Sequence, residues 1–150
     1  MDRKQFETVL EFAMEREKEA VKFYNDLIKR AKSFDLMETI RSIELMEQEH
    51  IRTIENLKNQ EIDDIVIQSV DDLNIGEYLI SPQDEPTGEY QDLLVTAMKR
   101  EELSYNLYRT LAEEMDDPAL QKLFQKLASE EVKHKLTFEK LYDSDILKEN

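Results

Sequence analysis

The chain has no cysteine, no tryptophan, two glycines and three prolines in 150 residues. Without cysteine there are no disulfides and no thiolate metal site, and nothing marks the redox compartment. Scarce glycine and proline leave few places where a helix must stop. Those few are grouped: Gly76, Pro82, Pro86 and Gly88 share one central stretch, and Pro118 falls between two later runs. Basic charge is also short, with 20 Lys and Arg against 35 Asp and Glu, a net charge of −15. Such a field repels phosphate backbones and anionic membranes and attracts cations, so no nucleic-acid partner is expected. No apolar run is long enough to span a bilayer, and the opening MDRKQFETVLEF has no apolar signal core. No membrane association and a cytoplasmic location are therefore expected.

What is present reads as helix. Charged residues make up 37% and hydrophobic residues 40%, rich in Glu, Lys and Leu, at a length typical of one domain. The 3.6-residue period picks out four long runs. The first covers about 4–32, with an inner stripe of Phe6, Leu10, Ala13, Glu17, Ala20, Tyr24, Leu27 and Ala31. The second starts near Asp35, where Asp35 and Glu38 resemble a capping box, and carries Leu36, Ile40, Ile43, Glu47, His50, Ile51, Ile54 and Leu57. The third follows Gly88 and carries Leu94, Ala97, Met98, Glu101, Ser104, Tyr108, Leu111 and Met115. The fourth opens with Asp117 as N-cap and Pro118 at the first helical position, and carries Leu120, Phe124, Leu127, Glu131, His134, Phe138 and Leu141.

Short joints near Ser33 and Asp116 make two antiparallel hairpins, 4–58 and 88–142. The connection 59–87 is too long for a hairpin loop. It is apolar enough, through Ile62, Ile65, Val66, Ile67 and Leu73, to pack along a bundle, with a short helical turn expected near Asp72–Leu79. Hairpin, crossover, hairpin in one all-α domain is the ferritin-like four-helix arrangement.

Both histidines of the chain follow a glutamate by three residues, in Glu47–His50 and Glu131–His134. The two motifs stand 84 positions apart, as do Glu17 and Glu101 and also Tyr24 and Tyr108. A two-fold internal repeat thus preserves metal-ligand types. Two Glu and two Glu-x-x-His on four helices form the ligand set of a carboxylate-bridged di-iron or di-manganese centre. A single Glu-x-x-His in so glutamate-rich a chain is weak, and a duplicated hairpin would by itself preserve apolar positions instead. Each of these glutamates, however, interrupts an apolar stripe. A buried carboxylate without a partner costs several kcal/mol or takes up a proton. Two divalent cations would neutralise four of them. Glu15, Glu19, Glu49, Glu102 and Glu130 turn off the stripe and read as a solvated face, with Glu102 and Glu130 the nearest substitutes as ligands. Tyr24 and Tyr108 read as buried hydroxyls that support the site, bonded to a ligand carboxylate across the bundle or, alternatively, to a backbone carbonyl or water.

The hairpins FAMEREKEAVKFYNDLIKRA with IRSIELMEQEHIRTIENL, and AMKREELSYNLYRTLAEEMDDPALQKLFQKLASEEVKHKLTFEKLYD, resemble the rubrerythrin branch of the ferritin-like family. The resemblance implies a two-iron site, with manganese as an alternative and zinc as a substitute. It makes Glu17 and Glu101 terminal ligands, Glu47 and Glu131 bridges, and His50 and His134 one ligand for each metal. Two departures stand out. Peroxide-reducing rubrerythrins usually carry a further glutamate one turn after the third-helix ligand, where this chain has Ser104. They also commonly append a cysteine-ligated rubredoxin domain, which a chain without cysteine lacks. The reductant is then a separate electron-donor protein or Fe²⁺ itself.

The favoured function is an oxidoreductase acting on hydrogen peroxide or dioxygen, as a rubrerythrin-like peroxidase or a ferroxidase. The alternatives are a metal-binding or iron-storage protein without turnover, a structural bundle with a vestigial site, or a hydroxylase. Only residues 143–150 follow the last run, where cage-forming ferritins often add a fifth helix; a homodimer is expected.

Overall fold

The computed structural model describes residues 2–60 and 89–149. Within them are four helices and no strand: α1 (Arg3–Ile28), α2 (Phe34–Asn59), α3 (Tyr90–Glu114) and α4 (Pro118–Glu149). Their starts follow local chemistry. Asp2 caps α1 through a capping box with Gln5, and Asp117 accepts from the Ala119 N–H ahead of α4. At α2 the cap is Ser33, whose hydroxyl accepts from the Leu36 N–H, ahead of the expected Asp35. The last helix also runs beyond the expected Leu141. Its extension carries Asp145, buried to 7% exposure, which accepts from Gln91 at the start of α3 and lies 3.9 Å from Lys32 after α1.

The close pairs are α1 with α2 and α3 with α4; α1 then meets α3, and α2 meets α4. Tyr24 reaches Glu101 while Tyr108 reaches Glu17, so α1 and α3 run antiparallel. Consequently α2 and α3 run parallel, and α2 ends at the end of the bundle opposite the start of α3. The crossover expected at 59–87, with its helical turn near Asp72–Leu79, lies almost wholly outside the described residues.

The apolar core is divided into two. One cluster joins Phe6, Leu10, Ile54, Leu111, Phe124 and Leu127, with Phe6 edge-on to Phe124 at 6.4 Å. The other joins Leu27, Ile40, Ile43, Leu94 and Phe138, with Tyr24 against Phe138 at 5.1 Å. Each fully buried Leu, Ile or Phe contributes roughly 1.5–3 kcal/mol. These two plugs carry the polar layer between them.

Candidate metal centre

The periodicity that turns Leu10 and Ala13 inward also turns Glu17 inward, and the three-residue step from Glu47 to His50 keeps both on one face of α2. Glu101 on α3 and Glu131 with His134 on α4 repeat this from the second hairpin. The four glutamates are each 1% exposed, and His50 and His134 are 2% and 8% exposed. Ligand atoms of Glu17, Glu47, His50 and Glu131 lie within 4.8 Å of one another; those of Glu47, Glu101, Glu131 and His134 form a second such group. The groups share Glu47 and Glu131. All six residues singled out from the sequence are thus brought together.

Both imidazoles turn Nδ1 into the cluster. His50 Nδ1 lies 2.8 Å from Glu131 Oε1, 3.5 Å from Glu47 and 3.6 Å from Glu17. His134 Nδ1 lies 2.8 Å from Glu47 Oε1 and 3.6 Å from Glu101. Four buried atoms here make no hydrogen bond: Glu17 Oε2, His50 Nδ1, Glu101 Oε2 and Glu131 Oε1. His50 Nδ1 and Glu131 Oε1 are near but misaligned, as ligand atoms aimed at a common point would be. Buried polar atoms are rarely left so. An oxygen-rich set with two imidazoles suits iron or manganese, and four carboxylates balance two divalent charges.

Protonation equilibria express the same crowding. Burial and the charges of Glu101 and Glu47 push the Glu131 carboxyl well above the usual range. Burial and the Glu47 charge raise Glu101. Burial also works against ionised Glu47, yet the His134 hydrogen bond and the nearby His50 ring bring it down to about 2. Burial opposes a charged His134, but the adjacent Glu101 and Glu47 carboxylates raise it to about 9. In the metal-free chain, shared protons thus supply the counter-charge.

The tyrosines cross between hairpins. Tyr24 Oη donates to Glu101 Oε1 at 2.5 Å, and Tyr108 Oη donates to Glu17 Oε1 at 2.6 Å. Burial first, then the nearby carboxylates, raise both phenols well above their ordinary value, so both remain donors. Replacing Tyr24 or Tyr108 with Phe should leave metal stoichiometry intact and lower metal affinity by about 10-fold, the lower end for partners of ligands; metal competition with a chelator measures it.

One participant departs from the sequence reading. Glu15, Glu19, Glu49 and Glu102 are exposed. Glu130, expected on the same solvated face, instead folds onto His50, its Oε2 2.5 Å from Nε2, and is only 18% exposed. The Glu130–Glu131 doublet was the available signal, but which flank of α4 faces His50 depends on how α2 and α4 cross. A pocket also opens at the α1–α3 seam. It is lined by Phe12, Arg16, Ala20, Tyr24, Arg100, Leu103, Ser104 and Leu107, with about 10 Å³ of free space, about one water. Arg16 and Arg100 occupy equivalent positions of the repeat. Their guanidinium groups lie over Phe12 and Phe23, and both approach Glu19, at 3.9 and 3.7 Å.

Among known proteins, the rubrerythrin family model matches residues 92–149, that is, α3 from its first turn through α4. A solved structure, a hypothetical protein from Pyrococcus furiosus, is similar over 91% of this chain and 87% of its own, with a TM-score of 0.73 and 25% identity. No curated protein matches the chain. No helix among the described residues is long and apolar enough to cross a membrane. The second hairpin thus matches the rubrerythrin family model, and the internal repeat carries the same Glu, Tyr and Glu-x-x-His spacing into the first.

Proposed function

We propose that the chain is a di-iron carboxylate oxidoreductase that reduces hydrogen peroxide or dioxygen. The observation that carries this reading is the pair of overlapping four-residue groups sharing Glu47 and Glu131. One metal would be held by Glu17 and His50, the other by Glu101 and His134, with Glu47 and Glu131 common to both. When bound, the reduced metal pair supplies two electrons and a clamp for the oxidant's oxygens; with two protons, hydrogen peroxide becomes two waters.

The chain's own residues do the rest. Tyr24 and Tyr108 fix the outer carboxylates by hydrogen bonds from the opposite hairpin. The two apolar plugs keep bulk water from the cluster along the bundle axis. The α1–α3 pocket reaches Tyr24 beside Ser104 and has room for about one water. With Ser104 in place of a further glutamate, each metal position has the same set of carboxylates. Binding without turnover is the competing reading, as the same buried ligands would serve storage.

Anaerobic stopped-flow mixing of the reduced, iron-loaded protein separates these readings. Absorbance should change within seconds on mixing with dioxygen and with hydrogen peroxide. Ser104→Glu should shift the preference toward peroxide. A protein inert to both oxidants over minutes is a metal-binding protein, and the oxidoreductase reading fails.

A further inference from the structure

The internal repeat makes the ligands of the two metal positions equivalent, but it does not extend to what stands behind the histidines. Behind His50, Glu130 places a carboxylate oxygen 2.5 Å from Nε2. The residue 84 positions before Glu130 is Met46, half-buried on α2, which has only a weakly accepting thioether. The recorded polar contacts of His134 are through Nδ1, to Glu47 and Glu101. Among the described residues, the His50 ring is therefore bonded to an acid at Nε2 with further acids near Nδ1, and the His134 ring meets acids at Nδ1 alone.

We propose that Glu130 is a positioning residue that makes the two metal positions unequal, with the position served by His50 the tighter. The inference rests on the di-metal reading above. A carboxylate only accepts, so the hydrogen bond puts the ring proton on Nε2 and turns the Nδ1 lone pair toward Glu17, Glu47 and Glu131. The tautomer that can ligate through Nδ1 is thereby selected in advance. The ring plane is fixed as well, and the acid increases the electron density that the ring offers a cation. Among the described residues, no such partner stands behind His134 to set its tautomer and orientation. Loss of a hydrogen-bonding partner behind a ligating histidine typically costs about 10–100-fold in metal affinity, and a difference of that order is expected between the two positions. Glu130 thus comes from α4 to serve a ligand on α2, and the tighter position also joins the hairpins.

Anaerobic titration of the full chain with Co²⁺ against a competing chelator reads this without any turnover. Wild type should load in two steps separated by about 10–100-fold. One paramagnetically shifted imidazole N–H should exchange slowly with solvent and the other quickly. E130A should weaken the tight step by about that factor and make both N–H signals exchange quickly, with the helix content unchanged. E130Q keeps an acceptor without its charge and should restore the slow N–H with only part of the affinity. M46E should tighten the weaker step. A merely structural role for Glu130 would not move the N–H exchange. Two equal affinities in wild type, or a tight step and a slow N–H untouched by E130A, overturn the inference and leave the di-metal reading standing. A chain that takes up fewer than two metals overturns that reading and this inference with it.

Discussion

Glu47→Ala or Glu131→Ala is expected to abolish paired metal binding and, with it, most of the chain's thermal stabilisation by metal. Each carboxylate belongs to both ligand groups, so its loss strips both positions at once, whereas Glu17→Ala strips one. Wild type should saturate near two Fe²⁺ per chain in an anaerobic titration followed by Mössbauer spectroscopy. A ligand at about 100 times its dissociation constant stabilises the native state by about 2.7 kcal/mol per site. Two sites should raise the melting temperature by about 10–20 °C at this chain length. In either variant that rise should shrink to a few degrees. Glu49→Ala, on an exposed face of α2, is the control. Glu130→Ala is not, because Glu130 touches His50. The metal-free Glu131→Gln protein should melt no lower than metal-free wild type, since burial and two neighbouring carboxylates already disfavour that charge. Saturation of wild type at one metal, or equal metal gains in Glu49→Ala and Glu131→Ala, would remove the paired site.

Opposite pH dependences of the metal-free and metal-loaded chains should be the next largest effect. His134 is raised from 6.5 to about 9, so its protonated form stabilises the metal-free fold fully below 6.5, and that contribution is lost as pH rises through about 9. The raised Glu131 carboxyl acts in the same direction. Glu47, lowered from 4.5 to about 2, contributes stability above 4.5 that is lost as pH falls through about 2. The metal-free melting temperature should therefore decline between pH 6.5 and 9. Metal needs the same groups deprotonated, so its affinity should rise about tenfold per pH unit for each proton displaced. Calorimetric melting with and without Mn²⁺ across this window, and proton release in weakly buffered titrations, measure both slopes. A metal affinity flat from pH 6.5 to 9 would mean that protons do not hold these positions.

The clustering of the six Glu and His side chains is legible because two periodicities coincide. The helical period exposes a stripe in which Glu17 stands where an apolar residue would be expected, and the 84-residue repeat shows the same exception at Glu101. The stripe residues Phe6, Leu10, Tyr24, Ile40, Phe124 and Phe138 are all buried. Helix ends were less legible. Ser33 and Asp35 can both cap, and only the backbone decides between them. The extension of α4 past Leu141 depends on Asp145 meeting Gln91 and Lys32, contacts between elements far apart in sequence. Glu130 was misassigned for a related reason. Angular position on one helix separates inside from outside, but a residue on the flank is governed by the neighbouring helix.

The hairpins themselves are held by long antiparallel contacts, α1 with α2 and α3 with α4. Between hairpins the backbones meet more sparsely; the two apolar clusters join them above and below the acidic layer, and within that layer Tyr24, Tyr108 and Glu130 each bond a residue of the other half. At that layer the two halves repel each other when protons are withdrawn. Opening there is a sub-global event rather than complete unfolding. In hydrogen exchange, amides of α1 and α3 facing this joint should exchange through partial opening, and cation binding should slow them most. The chelating residues would then act as a clasp between two preformed halves, with assembly of the bundle and loading of the centre being one event viewed from two sides.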